Sequence, residues 1–130
     1  MKSFLLSVIF CFVSAVVFAA ISPHEFQSVD PLSIKSELQK GEQVLLIDVR
    51  GASDFELGHI RGAILADNQR MDKQLPGDKN QLIVIYDDGG HSMRADNIAL
   101  RLKNLGYNKI KILDGGLRGW MSKRLPMTSG

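Results

Sequence analysis

Five stretches of the chain carry apolar residues at strand length. Val44-Leu45-Leu46-Ile47 is an unbroken run bounded by polar residues, and Gln81-Leu82-Ile83-Val84-Ile85-Tyr86 is a longer run of the same kind. Both patterns predict strands covered on two faces. Lys109-Ile110-Lys111-Ile112-Leu113 alternates, which predicts a strand with one wetter face. Ala63-Ile64-Leu65 and Phe26 to Val29 are shorter candidates. Helical spacing lies between these runs. Asp30-Pro31 opens a first helix, since Asp caps well and Pro suits the first turn, and Gly41 ends it. Leu32, Ile34 and Leu38 are its expected buried side. Ser92 to Leu105 forms a second helix closed by Gly106, with Ala95, Ile98, Ala99, Leu102 and Leu105 as its core stripe. Arg94, Arg101 and Lys103 fall on or near its rim. Strands alternating with helices predict an α/β domain built on a mainly parallel sheet.

The first twenty residues stand apart from this pattern. Met1-Lys2-Ser3 precedes Phe4 to Ala20, a run without a charged side chain that ends in Val17-Phe18-Ala19-Ala20. A positive start, an apolar stretch and small residues at its end describe a secretory signal peptide, with cleavage after Ala19 or Ala20. The rival reading is a retained membrane anchor, because Ser3 to Ser22 is long enough to cross roughly 30 Å of hydrocarbon. Both readings export the domain, residues 21–130, to the periplasm or the medium. The one cysteine, Cys11, lies inside this segment, so the processed chain has no thiol and no disulfide. At 130 residues the chain has room for a single core, and 16 basic against 14 acidic residues give no field that would attract nucleic acid.

Chemistry concentrates after the strongest strand, in Asp87-Asp88-Gly89-Gly90-His91-Ser92-Met93-Arg94. A strand, a glycine-rich loop and a helix in that order put the loop at the carboxyl end of a parallel sheet, where ligand sites of open α/β sheets gather. Glycines let successive backbone N–H groups turn inward, and the helix start adds unpaired donors. The cradle favours an anion, and Asp87 or Asp88 can supply it by folding into the ring of N–H groups. Such a carboxylate competes with any incoming anion, and the same hydrogen bonds lower its pKa.

The chain also carries an ordered set of short signatures. Leu46-Ile47-Asp48-Val49-Arg50, Asp54-Phe55 and Gly58-His59-Ile60-Arg61-Gly62-Ala63 come first. Leu113-Asp114-Gly115-Gly116, Trp120 and Leu125-Pro126 close the series. Together they resemble the opening and closing signatures of rhodanese-like domains over roughly Phe26 to Met127, with Arg61 in place of the usual Pro. The resemblance implies a three-layer fold with a central five-stranded, mainly parallel sheet flanked by helices. It also implies sulfur transfer, in which a loop cysteine accepts sulfane sulfur from a donor such as thiosulfate and passes it on as a persulfide. By alignment the position of that cysteine is Asp87, directly after Tyr86. The loop is more similar to that of the non-catalytic half of two-domain sulfurtransferases, where Asp also follows the Tyr. A carboxylate is a hard oxygen nucleophile and cannot carry sulfane sulfur.

Other polar residues in these signatures have structural readings. His59 fixes the turn after Gly58, Asp48 and Arg50 tie a strand end to neighbouring loops, Asp114-Gly115-Gly116 is a tight turn, and Trp120 anchors the core. His91 with Asp87 and Asp88 has the composition of a divalent-metal site. The competing reading makes it a solvent-facing loop histidine beside capping carboxylates, and no metal or cofactor is assigned. The expected protein is thus an exported, monomeric, non-catalytic binding or regulatory module for a protein or a small anionic or sulfur ligand. Two enzyme readings stand against it: a sulfurtransferase using a thiol from a partner, and a metal-dependent hydrolase built on Asp87, Asp88 and His91.

Overall fold

The computed structural model describes residues 24–67 and 69–130; the N-terminal segment with Cys11 lies outside them. Along the chain come β1 (Ser28–Val29), α1 (Pro31–Gln39), β2 (Val44–Asp48), α2 (Ala52–Leu57), β3 (His59–Ile60) and β4 (Ile64–Leu65). There follow α3 (Met71–Gln74), β5 (Leu82–Tyr86), α4 (Met93–Asn104), β6 (Ile110–Leu113), α5 (Gly116–Ser122) and β7 (Met127–Thr128). Five strands form one sheet in the order β1-β6-β5-β2-β4, every neighbouring pair parallel. The two edge strands are two residues long, which limits the unpaired backbone they offer.

The continuous apolar run of β5 is explained by its central place. Ile83 and Ile85 pack into a cluster with Ala95, Ala99 and Leu102 of α4. Val84 and Tyr86 alternate to the opposite face, among Ile34, Leu117 and Trp120. Helices therefore cover the sheet on both sides, giving three layers. In β6, Ile110, Ile112 and Leu113 are buried and Lys111 is half-buried.

Helix ends follow the capping residues. Asp30 accepts the Leu32 N–H at 2.6 Å, Pro31 occupies the first turn, and Gly41 leaves α1 at φ +81°. Ser92 accepts the Ala95 N–H at 3.1 Å to start α4, and Gly106 leaves it at φ +96°. The expected buried sides need correction at three leucines. Leu32 and Leu38 are 50% and 39% exposed, and the buried residues of α1 are Pro31 and Ile34. Only Pro31 and Ile34, one turn of this nine-residue helix, are buried, too narrow a contact to cover both leucines as well. Leu105 is 47% exposed because it is the C-cap, where the chain already turns away toward β6.

The short elements α2 and α3 and the antiparallel pair β3–β7 complete the fold. His59 pairs with Thr128 and Ile60 with Met127, which pins the end of the chain beside the opening signature. Arg61 donates its N–H to the Pro126 carbonyl at 3.2 Å, a bond that a proline at this position could not make.

Candidate functional site

The loop leaves the carboxyl end of β5, beside the end of β2, where Asp48 is in register with Tyr86. Its main chain is held from below by α5. The Leu117 N–H donates to the Asp87 carbonyl at 2.9 Å and the Arg118 N–H to the Asp88 carbonyl at 3.0 Å. These are N–H groups of the first turn of α5, which have no partner within their own helix. The approach is close enough to demand glycine at position 116. A Cβ there would lie 1.9 Å from the Gly89 oxygen and 2.4 Å from the Asp87 oxygen, and φ is +57°. Gly115, at φ +69°, makes the turn that precedes it.

Asp87 points inward and is buried. Its carboxylate does not fold into a ring of glycine N–H groups, as the loop composition suggested; it takes one backbone N–H, that of Asp88, at 2.8 Å. Side chains supply its other partners. The Ser92 hydroxyl donates at 2.8 Å, and Arg94 grips both oxygens, Nε at 3.1 Å and Nη2 at 2.7 Å. Burial by itself would raise the Asp87 pKa, but the Arg94 hydrogen bond, then those of the Asp88 N–H and Ser92, outweigh it and hold the carboxyl below its ordinary value. The hydrogen bond to Asp87 in turn raises the pKa of Arg94, whose side chain is 59% exposed. Ser92 serves twice, as donor to Asp87 and as cap of α4. The side chain of Asp88 stays outside this network; it is exposed, its carboxylate 3.8 Å from the Arg50 guanidinium. Gly89 and Gly90 are half-buried and Met93 is exposed at the loop's far end.

Beneath the loop lies a second, fully buried charge pair. Arg50 donates through Nε to both Asp48 oxygens at 3.1 Å and through Nη2 to Oδ2 at 2.8 Å. The same Nη2 reaches the Gly58 carbonyl at 2.6 Å, and the Arg50 N–H returns to Asp48 at 2.8 Å. Burial works against the Arg50 charge, yet the hydrogen bond and attraction of Asp48 prevail and raise its pKa. Strand β2, the end of α2 and the start of β3 are thereby joined. Tyr86 lies alongside: its hydroxyl oxygen accepts the Ile60 N–H at 3.1 Å, and burial, reinforced by Asp48, raises its pKa strongly. His59 stacks on Phe55 at 3.6 Å between ring centroids, with its Nδ1 2.7 Å from the Phe55 carbonyl. Gly62 turns the chain at φ +85°. Trp120 is buried and donates its indole N–H to the Pro126 carbonyl at 3.1 Å.

The structure separates residues that the sequence placed side by side. His91 does not join Asp87 and Asp88. Its Nε2 lies 3.0 Å from the Ser28 hydroxyl, and its ring stacks on His24 at 3.9 Å. With both Asp87 oxygens held by Ser92 and Arg94, a metal centre on Asp87, Asp88 and His91 has no ligand set. Among the described residues, the group able to hold a metal is instead His24, His91 and Asp96. Ser28, His24 and Asp96 had no signal in the sequence, since they meet His91 only through folding. Tyr86 and Gly116 stood inside readable signatures, but their contacts with Ile60 and the loop did not.

A family model described as the rhodanese-like domain matches residues 30–123. A thiosulfate sulfurtransferase GlpE from Pseudomonas putida is 31% identical over 99 residues, covering 74% of this chain and 86% of its own length. The protein YibN of Escherichia coli K12 is 28% identical, covering 68% of this chain and 64% of itself. Among solved structures, a thiosulfate sulfurtransferase from Pseudomonas aeruginosa superposes with a TM-score of 0.70 at 27% identity, covering 80% of this chain and 20% of that one. The Alr3790 protein from Anabaena superposes at 0.66 with 26% identity over 78% of this chain and 82% of its own. The strand that delivers the loop, the charge pair beneath it and the glycine turn that seats it all fall inside the matched span, and the chain belongs to the rhodanese-like domain family.

Proposed function

We propose that this protein is an exported rhodanese-like binding module that forms no persulfide. One observation carries the reading: the side chain that follows β5 is the Asp87 carboxylate, buried, paired with Arg94 and hydrogen-bonded by Ser92. Sulfane transfer needs a soft, polarizable nucleophile that can attack sulfur and then leave again. Oxygen at this place does neither. Because Arg94 is engaged from within, a small anion at the loop must displace Asp87 from it. A protein ligand would meet Asp88, Met93 and the outer face of Arg94, all exposed. Export rests on the uncharged run from Phe4 to Ala20.

The test is turnover of thiosulfate with cyanide by the purified protein. The expected rate equals that of a heat-denatured control, and turnover above it by the unchanged chain refutes the reading. Asp87→Cys should gain activity, because a thiolate there would inherit the Asp88 N–H, Ser92 and Arg94, whereas Asp88→Cys should not. Mass spectrometry of protein recovered outside the cytoplasm should find a chain beginning at Ala20 or Ile21.

A further inference from the structure

We propose that His24, His91 and Asp96 form a binding site for a divalent transition metal, with zinc the best chemical match, on the flank of the loop. The Nδ1 of His91 and Oδ1 of Asp96 face each other at 3.5 Å, and both atoms are buried with no hydrogen-bond partner. That spacing is too long for a hydrogen bond. Buried polar atoms without partners cost about 1–3 kcal/mol each, so a pair left facing one another calls for a reason. A metal supplies one. Ligand atoms about 2.0–2.2 Å from a tetrahedral zinc lie about 3.3–3.6 Å apart, a range that includes the spacing found here. The Nδ1 of His24 lies 4.0 Å from the other Asp96 oxygen, and one ligand atom from each of the three residues falls within 4.8 Å of the other two.

The support for His91 is also that of a ligand. When Nε2 carries the proton and donates it to the Ser28 hydroxyl at 3.0 Å, Nδ1 presents its lone pair toward Asp96. His24 has to move. Its ring is stacked on His91 at 13°, and lone pairs in parallel ring planes cannot meet at one ion. His24 is exposed, so its ring is free to rotate out of the stack and bring Nδ1 to a metal already held by His91 and Asp96. Two imidazoles and a carboxylate suit zinc, nickel or copper and are poor ligands for magnesium or calcium. Water would complete the coordination. Binding would tie the segment before β1 to the loop and to the first turn of α4, and so fix the face proposed above for ligands.

Calorimetric titration of the EDTA-treated protein with zinc chloride tests the proposal, alongside thermal unfolding with and without zinc. One equivalent should bind and raise the melting temperature, and magnesium should do neither. His24→Ala, His91→Ala and Asp96→Asn should each weaken zinc binding at least tenfold, and Ser28→Ala by about tenfold as expected for a supporting partner. His24 is exposed, so a loss in that variant cannot be ascribed to unfolding; circular dichroism controls for the other two. Asp88→Asn should bind zinc as the parent does. Absence of binding in excess zinc, loss below tenfold in any of the three ligand variants, or loss in Asp88→Asn would overturn the assignment.

Discussion

Replacing Gly116 by alanine should do far more damage than replacing Gly41, although both residues have positive φ. At Gly41, φ is +81° and an added Cβ meets nothing within 4 Å. Its cost is the left-handed conformation alone, about 1–2 kcal/mol, offset by the about 0.4–1 kcal/mol that alanine removes from unfolded-chain entropy. The net loss is about 1 kcal/mol. Gly116 carries the same conformational term at φ +57°, but its Cβ would sit 1.9 Å from a backbone oxygen. The loop must rise by more than an ångström, which breaks the bonds from Leu117 and Arg118 to the Asp87 and Asp88 carbonyls. Two such bonds, at about 1 kcal/mol each, bring the loss to about 3 kcal/mol before any repacking. Urea unfolding of the two variants measures the difference directly, and in a domain of this size 1 kcal/mol corresponds to about 4 °C in melting temperature. In an Asp87→Cys background, Gly116→Ala should also abolish the gained sulfurtransferase activity, while Gly41→Ala leaves it. Stabilities within about 0.5 kcal/mol of each other would refute the claim that α5 seats the loop, since independent sites scatter by that much.

Further expectations concern the charges. Because the folded pKa of Asp87 is lowered, its pairing contributes stability that is present above the unfolded value of about 3.9 and is lost as pH falls through the folded value. Denaturation at pH 7 and pH 3 should therefore show a smaller drop for Asp87→Asn than for the parent; equal drops would contradict the pairing. Asp48→Ala leaves the buried Arg50 guanidinium without its counter-ion and should cost about 3–5 kcal/mol in equilibrium unfolding. Tyr86→Phe removes the acceptor of a buried N–H and should cost about 1–3 kcal/mol by the same measurement.

The sheet was legible because its information is local. A central parallel strand buries both faces and so reads as an unbroken apolar run, as at Ile83 to Tyr86. Asp30, Gly41, Ser92 and Gly106 mark helix ends through their own backbone and side chains. Legibility failed where a side chain's surroundings come from far along the chain. Helical spacing put Leu32 and Leu38 on the inner side of α1, but the area of sheet beneath decides how many leucines it covers. Proximity in sequence grouped His91 with Asp87 and Asp88, whereas the hydroxyl it meets is 63 residues away at Ser28. Main-chain donors were expected around the Asp87 carboxylate; it keeps one, the Asp88 N–H, and two side chains on the capping turn and first turn of α4 supply the rest.

Leu117 and Arg118 hold the loop by its carbonyl oxygens, atoms that every amino acid possesses. The mount is therefore indifferent to what it carries. A change of side chain at position 87 removes neither of these two supports. On the proposed reading, a thiol introduced at this one position would meet a seat already built for it.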